Sequence, residues 1–196
     1  MTRSFARSTP WKIIGAGVNR TFPGGLGMPA FEYQQAEEIK EALKRHKVRY
    51  LFIGKSGAIL LGFPDTTQDA DLFVDRSGDN GRALVAALRE LGFDLSDNQA
   101  SEIERGKDFV QLRNGPFDLD LVFAPDGIER FEDAWNRHVD VEDFPVCHID
   151  DIIGSKQAAN RERDRESLPR LRAFREYWLK NRSSDFRNES NLETKT

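Results

Sequence analysis

The sequence predicts an α/β (α+β) domain, a small mixed β-sheet flanked by helices, with a helical C-terminal extension. Three observations predict it. Apolar runs of strand length alternate with stretches at helical spacing, two strand-like segments carry paired aspartates, and the last part of the chain turns basic while keeping a helical apolar period. With 196 residues, 38% of them hydrophobic and 32% charged, there is material for one core with appendages. The net charge of −4 argues against a strongly basic nucleic-acid binder but leaves room for a local basic patch. Cys147 is the sole cysteine, so no disulfide forms within the chain, in keeping with a reducing cytoplasm. No apolar run nears the roughly 20 residues that span a bilayer. MTRSFARSTPWK also lacks the apolar segment of a signal peptide, so the expectation is a cytoplasmic protein with no membrane partner.

Residues 1–30 hold three prolines and five glycines, and read as an irregular N-terminal arm. Gly15-Ala16-Gly17 is not a dinucleotide loop, because no apolar strand precedes it and Arg20 stands where the third glycine belongs. Residues 31–147 are the expected core. From Phe31 to His46, Ala36, Ile39, Ala42 and Leu43 recur at helical spacing. Val48 to Ile53 is a nearly unbroken apolar run, the pattern of a strand buried on both faces. Gly54-Lys55-Ser56-Gly57 follows and leads into AILLG, which places a glycine turn at a helix N-terminus, a setting that favours phosphate. It is not a Walker loop, since Arg49 occupies the position of that motif's first glycine.

Gln68 to Val74 is the next strand. Its side chains alternate, so Asp69 and Asp71 leave one face while Ala70 and Leu72 leave the other. Aspartate is a poor strand former and is rarely buried unless paired or holding a metal, so this pair points to a divalent cation. Gly81 to Leu91 reads as a helix stopped by Gly92, and Phe93 as the start of an extended piece. Lys107–Leu112 and Phe117–Phe123 read as strands joined at a tight Asn114-Gly115 turn. The second presents Asp118 and Asp120 on one face, a further source of carboxylates. His46, His138, His148 and Cys147 show no zinc-ligand spacing.

An apolar strand, a glycine turn, a short helix, an apolar-flanked DxD and a later strand aspartate together resemble the nucleotidyltransferases of the DNA polymerase beta-like superfamily. Within it, the pattern G-G-x-A…G-x-P-R-x-T-x-D-x-D-L of the bacterial abortive-infection, toxin-type enzymes is similar to Gly54-Lys55-Ser56-Gly57…Gly62-Phe63-Pro64-Asp65-Thr66-Thr67-Gln68-Asp69-Ala70-Asp71-Leu72. Asp120-Leu121-Val122, with Phe131 to Trp135 after it, resembles the family's third-carboxylate strand, and that spacing selects Asp120 over Asp118. Ile149 to Lys156 and Arg161 to Asp164 resemble a terminal segment in which a lysine faces phosphates. The likeness covers about residues 31–180. Lys55 replaces the second glycine of the pattern and Asp65 replaces its arginine, which alters the charge beside the expected phosphates.

The resemblance implies a nucleotidyltransferase fold and transfer of a nucleoside monophosphate from an NTP, with ATP a candidate, to a hydroxyl. It implies two Mg²⁺ ions on Asp69, Asp71 and Asp120, with Asp120 as general base. Gly54, Lys55, Ser56, Thr67 and Lys156 would bind the nucleotide. RNA or tRNA is the expected acceptor and an antitoxin protein the expected partner. A small molecule or a protein hydroxyl is the alternative acceptor, and a nucleotide-binding or partner-binding scaffold without turnover is the alternative function.

Residues 148–182 form the expected C-terminal helical segment. Gly154 to Arg182 carries nine Lys and Arg against four acids, while Leu168, Leu171, Phe174 and Trp178 keep helical spacing. Arg170, Arg172 and Arg175 are the basic face expected to meet an RNA backbone. Residues 183–196 are polar with few apolar anchors and read as a disordered tail.

Overall fold

Helix α1 (Tyr33–Arg45) buries Ala36, Ile39, Ala42 and Leu43 on one face, as their spacing dictates, and opens with a Glu32–Gln35 capping box. The computed structural model describes residues 32–193, with side chains to Asn181; the N-terminal arm lies outside them. Strand β1 (Tyr50–Phe52) is buried throughout. Helix α2 (Gly54–Leu60) leaves it at once and lies tight on it: a Cβ on Gly57 would meet the Phe52 carbonyl oxygen at 2.8 Å. Strand β2 (Asp69–Val74) carries the DxD, and α3 (Gly78–Glu90) ends before Gly92, whose φ of +92° few side chains would accept.

Beyond Phe93 the expected extended piece is short, because α4 (Asp97–Glu104) follows. A Ser96–Gln99 capping box starts it, and Ala100 and Ile103 bury its inner face. Strands β3 (Phe109–Leu112) and β4 (Asp118–Val122) pair antiparallel as expected. Their connection is a five-residue loop, residues 113–117, and not a two-residue turn. Gly115 is required there by contact: its Cβ would sit 2.2 Å from the Phe93 ring.

After α5 (Phe131–Trp135), a second hairpin of β5 (Val139–Val141) and β6 (Phe144–Val146) turns at Glu142 and Asp143, both with positive φ. Helix α6 (Ile149–Ala159) stops at Asn160 in a left-handed conformation, and α7 (Glu162–Glu193) follows. The bounds of α7 run to Glu193, into the stretch from residue 183 read as a tail. It contains no glycine or proline to halt propagation from the packed part of α7.

Among the described residues six strands form one mixed sheet in the order β3-β4-β2-β1-β6-β5. Its central pairs are β2 with β4, parallel, and β1 with β2, antiparallel. Phe52, Phe73, Phe144, Leu51, Leu72 and Leu119 fill the core. No described helix is long and apolar enough to cross a membrane.

Asn80, buried in the first turn of α3, ties the sheet's central pair to that helix. Its Oδ1 accepts from Arg49 N–H at 2.7 Å, and its Nδ2 donates to the carbonyls of Arg49 (3.0 Å) and Asp75 (2.9 Å). Alanine would take away the partner of Arg49 N–H and of the Asp75 carbonyl, while the Arg49 carbonyl would keep its bond from Asp75 N–H at 3.2 Å. Asn80→Ala is therefore expected to lower unfolding stability by about 3 kcal/mol, read by urea denaturation.

Candidate active site

The parallel register sets Asp69 opposite Asp118 and Asp71 opposite Asp120. Strand alternation then sends all four toward one face of the sheet. Asp69, Asp71 and Asp120 each bring a carboxylate oxygen within 4.8 Å of the others'. Asp118 stays out of that cluster, so the geometry groups Asp120 with the DxD.

The glycine turn closes against this cluster from the β1 side. Gly54 has φ +63°, and a Cβ there would lie 2.5 Å from Asp71 Oδ2, so only glycine lets the backbone pass the carboxylate. Ser56 departs from its expected place among the phosphate ligands. It is fully buried; its hydroxyl donates to the Ile53 carbonyl at 3.1 Å and accepts from Asp71 N–H at 2.9 Å. Its role is to fasten the start of α2 to the strand that carries Asp71. Thr67 donates its hydroxyl to Asp69 Oδ1 at 2.8 Å and so orients that carboxylate.

A cavity of about 300 Å³ opens on the three aspartates, and Gly54, Lys55, Thr67 and Lys156 also line it. Lys156 reaches it from α6, with Nζ 3.0 Å from Oδ1 of the buried Asp164 on α7. Asp65, expected from the resemblance to alter the charge beside bound phosphates, is not among the residues lining this cavity. Its Oδ2 accepts from Arg170 Nη1 at 3.1 Å, and Arg170 also donates to the Pro64 carbonyl at 2.9 Å and stacks over Phe63. The proposed basic face of α7 is engaged in the same way. Arg172 donates to Gln157 at 3.0 Å and Arg175 pairs with Asp150, so all three arginines already have intramolecular partners.

Burial, together with the charges on Asp69 and Asp120, pushes the Asp71 carboxyl up to about 7, with Lys156 opposing. Burial also raises Asp120, against the pull of the Arg113 guanidinium. Arg113 is the residue that sequence reasoning missed. It extends from the β3–β4 loop, with Nη2 2.7 Å from Asp120 Oδ1 and 3.8 Å from Asp69 Oδ2, and Nε 3.6 Å from Asp118. The period of two carries a faint signal for it, since Phe109, Gln111 and Arg113 follow one another at alternate positions toward the face that holds Asp120. Asp164 was legible as the end of an Arg-x-x-Asp turn, but its pairing with Lys156 was not.

The arrangement is a mixed α/β fold with a convergent acidic triad. No protein-family model and no curated protein sequence matches the chain. Among solved structures it is similar to a lincosamide antibiotic adenylyltransferase, LnuA, in its lincomycin-bound form, with a TM-score of 0.54 at 14% identity. The match covers 74% of this chain and 98% of that one. At that identity the likeness is one of fold, and it agrees with the fold class expected from the sequence.

A carboxyl raised by the fold stabilises the protein below its unfolded value, near 4, and that contribution is lost as pH climbs through about 7. Without a cation, Asp71→Asn is accordingly expected to melt higher than wild type at pH 8, by at least about 3 °C, with the gap closing toward pH 5. Mg²⁺ added together with a non-hydrolysable NTP analogue should raise the wild-type melting temperature at pH 8 by more than it raises the variant's. Thermal melts across that pH range check both.

Proposed function

We propose that this chain is a divalent-cation-dependent nucleotidyltransferase that moves a nucleoside monophosphate from an NTP, with ATP the first candidate, to a hydroxyl of a small-molecule acceptor. The observation that carries this reading is the convergence of three aspartates on a cavity also lined by a glycine turn and two lysines. The donor set fits the cation: three carboxylates supply hard oxygen ligands, and a guanidinium already stands against two of them as a positive charge. Asp69, Asp71 and Asp120 would hold two Mg²⁺ ions. When bound, these ions supply charge neutralisation on the attacking and leaving oxygens.

The chain's own groups do the rest. Lys55 and the Gly54 backbone hold the outer phosphates, and Lys156, steadied by Asp164, adds positive charge. Asp120 accepts the acceptor hydroxyl's proton while the new O–Pα bond forms and the bond to pyrophosphate breaks. Thr67 and Ser56 position Asp69 and Asp71 through the hydrogen bonds above.

Two things support a small acceptor. The cavity has the size of a small-ligand site, and LnuA, the fold neighbour, is an antibiotic adenylyltransferase bound to lincomycin. An RNA acceptor and an antitoxin partner, which the toxin-type resemblance implies, draw less from the geometry, because Arg170, Arg172 and Arg175 are held by this chain's own groups.

The test is incubation of the full chain with each α-labelled NTP, Mg²⁺, and either a library of hydroxyl-bearing small molecules or total RNA. Labelled small-molecule product is expected, falling about a thousandfold or more in Asp69→Asn and Asp71→Asn. Transfer that survives in both variants would overturn the triad, and label found solely in RNA would overturn the acceptor class.

A further inference from the structure

Among the described residues, Arg113 is the cation paired directly with the site's carboxylates, and its pairing conflicts with cation binding. Its Nη2 lies 2.7 Å from Asp120 Oδ1, the oxygen that Gln111 Nε2 also approaches at 3.4 Å. A hard cation ligated by that oxygen would sit about 2.1 Å from it, which places two positive centres a few ångströms apart over one carboxylate. The guanidinium cannot escape the conflict by losing its proton, because arginine stays charged at every accessible pH. It can escape only by moving. The side chain is 37% exposed, and its other ties are loose: 3.6 Å to Asp118, 3.8 Å to Asp69, and 3.4 Å from Nη1 to the Leu112 carbonyl.

Resting on the reading of the triad as a divalent-cation site, we propose that Arg113 is its resident counter-cation and competes with the metal for Asp120. A metal arriving alone must displace the guanidinium into water. A metal arriving with a triphosphate brings anionic oxygens that give the displaced guanidinium a new partner. Cation and nucleotide therefore load with positive coupling, and Arg113 sets its size. Held off by Arg113, free divalent ions leave the triad largely paired until nucleotide is present.

The experiment measures Mn²⁺ binding to the full chain by electron paramagnetic resonance of the free ion, first alone and then with a non-hydrolysable NTP analogue. Arg113→Gln is expected to bind Mn²⁺ alone at least about fivefold more tightly than wild type, and the gain conferred by the analogue should shrink by a similar factor. Arg113→Lys, which keeps a charge, should lie between the two, and circular dichroism confirms that each variant is folded. Arg163→Gln removes a cation that lines the cavity but has no ion pair to the triad, and should shift Mn²⁺ affinity by less than about twofold. An affinity in Arg113→Gln equal to that of wild type or of Arg163→Gln would overturn the competition while leaving the triad standing. Wild type and Arg113→Gln both binding no better than Asp120→Asn would overturn the cation site itself, and this proposal with it.

Discussion

The parallel pairing of β2 with β4, with Asp71 opposite Asp120, is the constraint on which the rest of the structure depends. A slip of one residue would turn Asp120 to the other face and put Leu119 or Leu121 beside the DxD. The register is held by apolar groups that point the opposite way: Ala70 and Leu72 on β2, and Leu119 and Leu121 on β4, are all fully buried. The same alternation that exposes the aspartates to the cavity thus locks them in place. Hydrophobic burial offsets the repulsion among three carboxylates, and burial of the carboxyls, with that repulsion added, raises the protonation range of Asp71 and Asp120.

How far the sequence discloses this depends on how local each signal is. The DxD was legible from period alone, because Asp69 and Asp71 lie on one strand. Asp120 was legible as a second carboxylate strand, but its preference over Asp118 came from the family spacing, and the pairing with β2 is a long-range contact that no local pattern encodes. The bonds of the Ser56 hydroxyl to the backbone of Ile53 and Asp71 were not legible, since a serine beside glycines reads equally as a phosphate ligand or as a backbone fastener. The β5–β6 hairpin escaped notice for a different reason: its strands have three residues each and its turn uses Glu142 and Asp143 where asparagine and glycine are the usual signal. Helix α4 did leave a signal, the Ser96-x-x-Gln99 box, which lay within the supposed extended piece.

Asp65, which stands where the resembled pattern has an arginine, finds its partner outside the cavity. Its carboxylate, turned away from the cavity, meets Arg170 on α7, so the turn before the DxD is docked onto the C-terminal helix. Such a pair, more than half exposed on the arginine side, contributes at most about 1 kcal/mol by itself. The apolar contacts around it supply most of the docking: Phe63 meets Phe174 edge to face, and Leu168 and Leu171 are buried. Arg170, Arg172 and Arg175 thus help to fix the helix, and the helix in turn supplies Asp164.

That supply bears on the triad's charge. Of the cations around the three carboxylates, Arg113 pairs with them directly and Lys156 is near enough to lower the protonation range of Asp71. Asp164 holds Lys156 at 3.0 Å, so that the lysine stays in the cavity wall without becoming the triad's partner. Arg113 then stands alone among the described cations in direct contact, and one positive charge against three negative ones leaves a site still strongly anionic. An excess of that sign in a partly buried cavity is what a hard divalent ion with its bound phosphates is suited to balance.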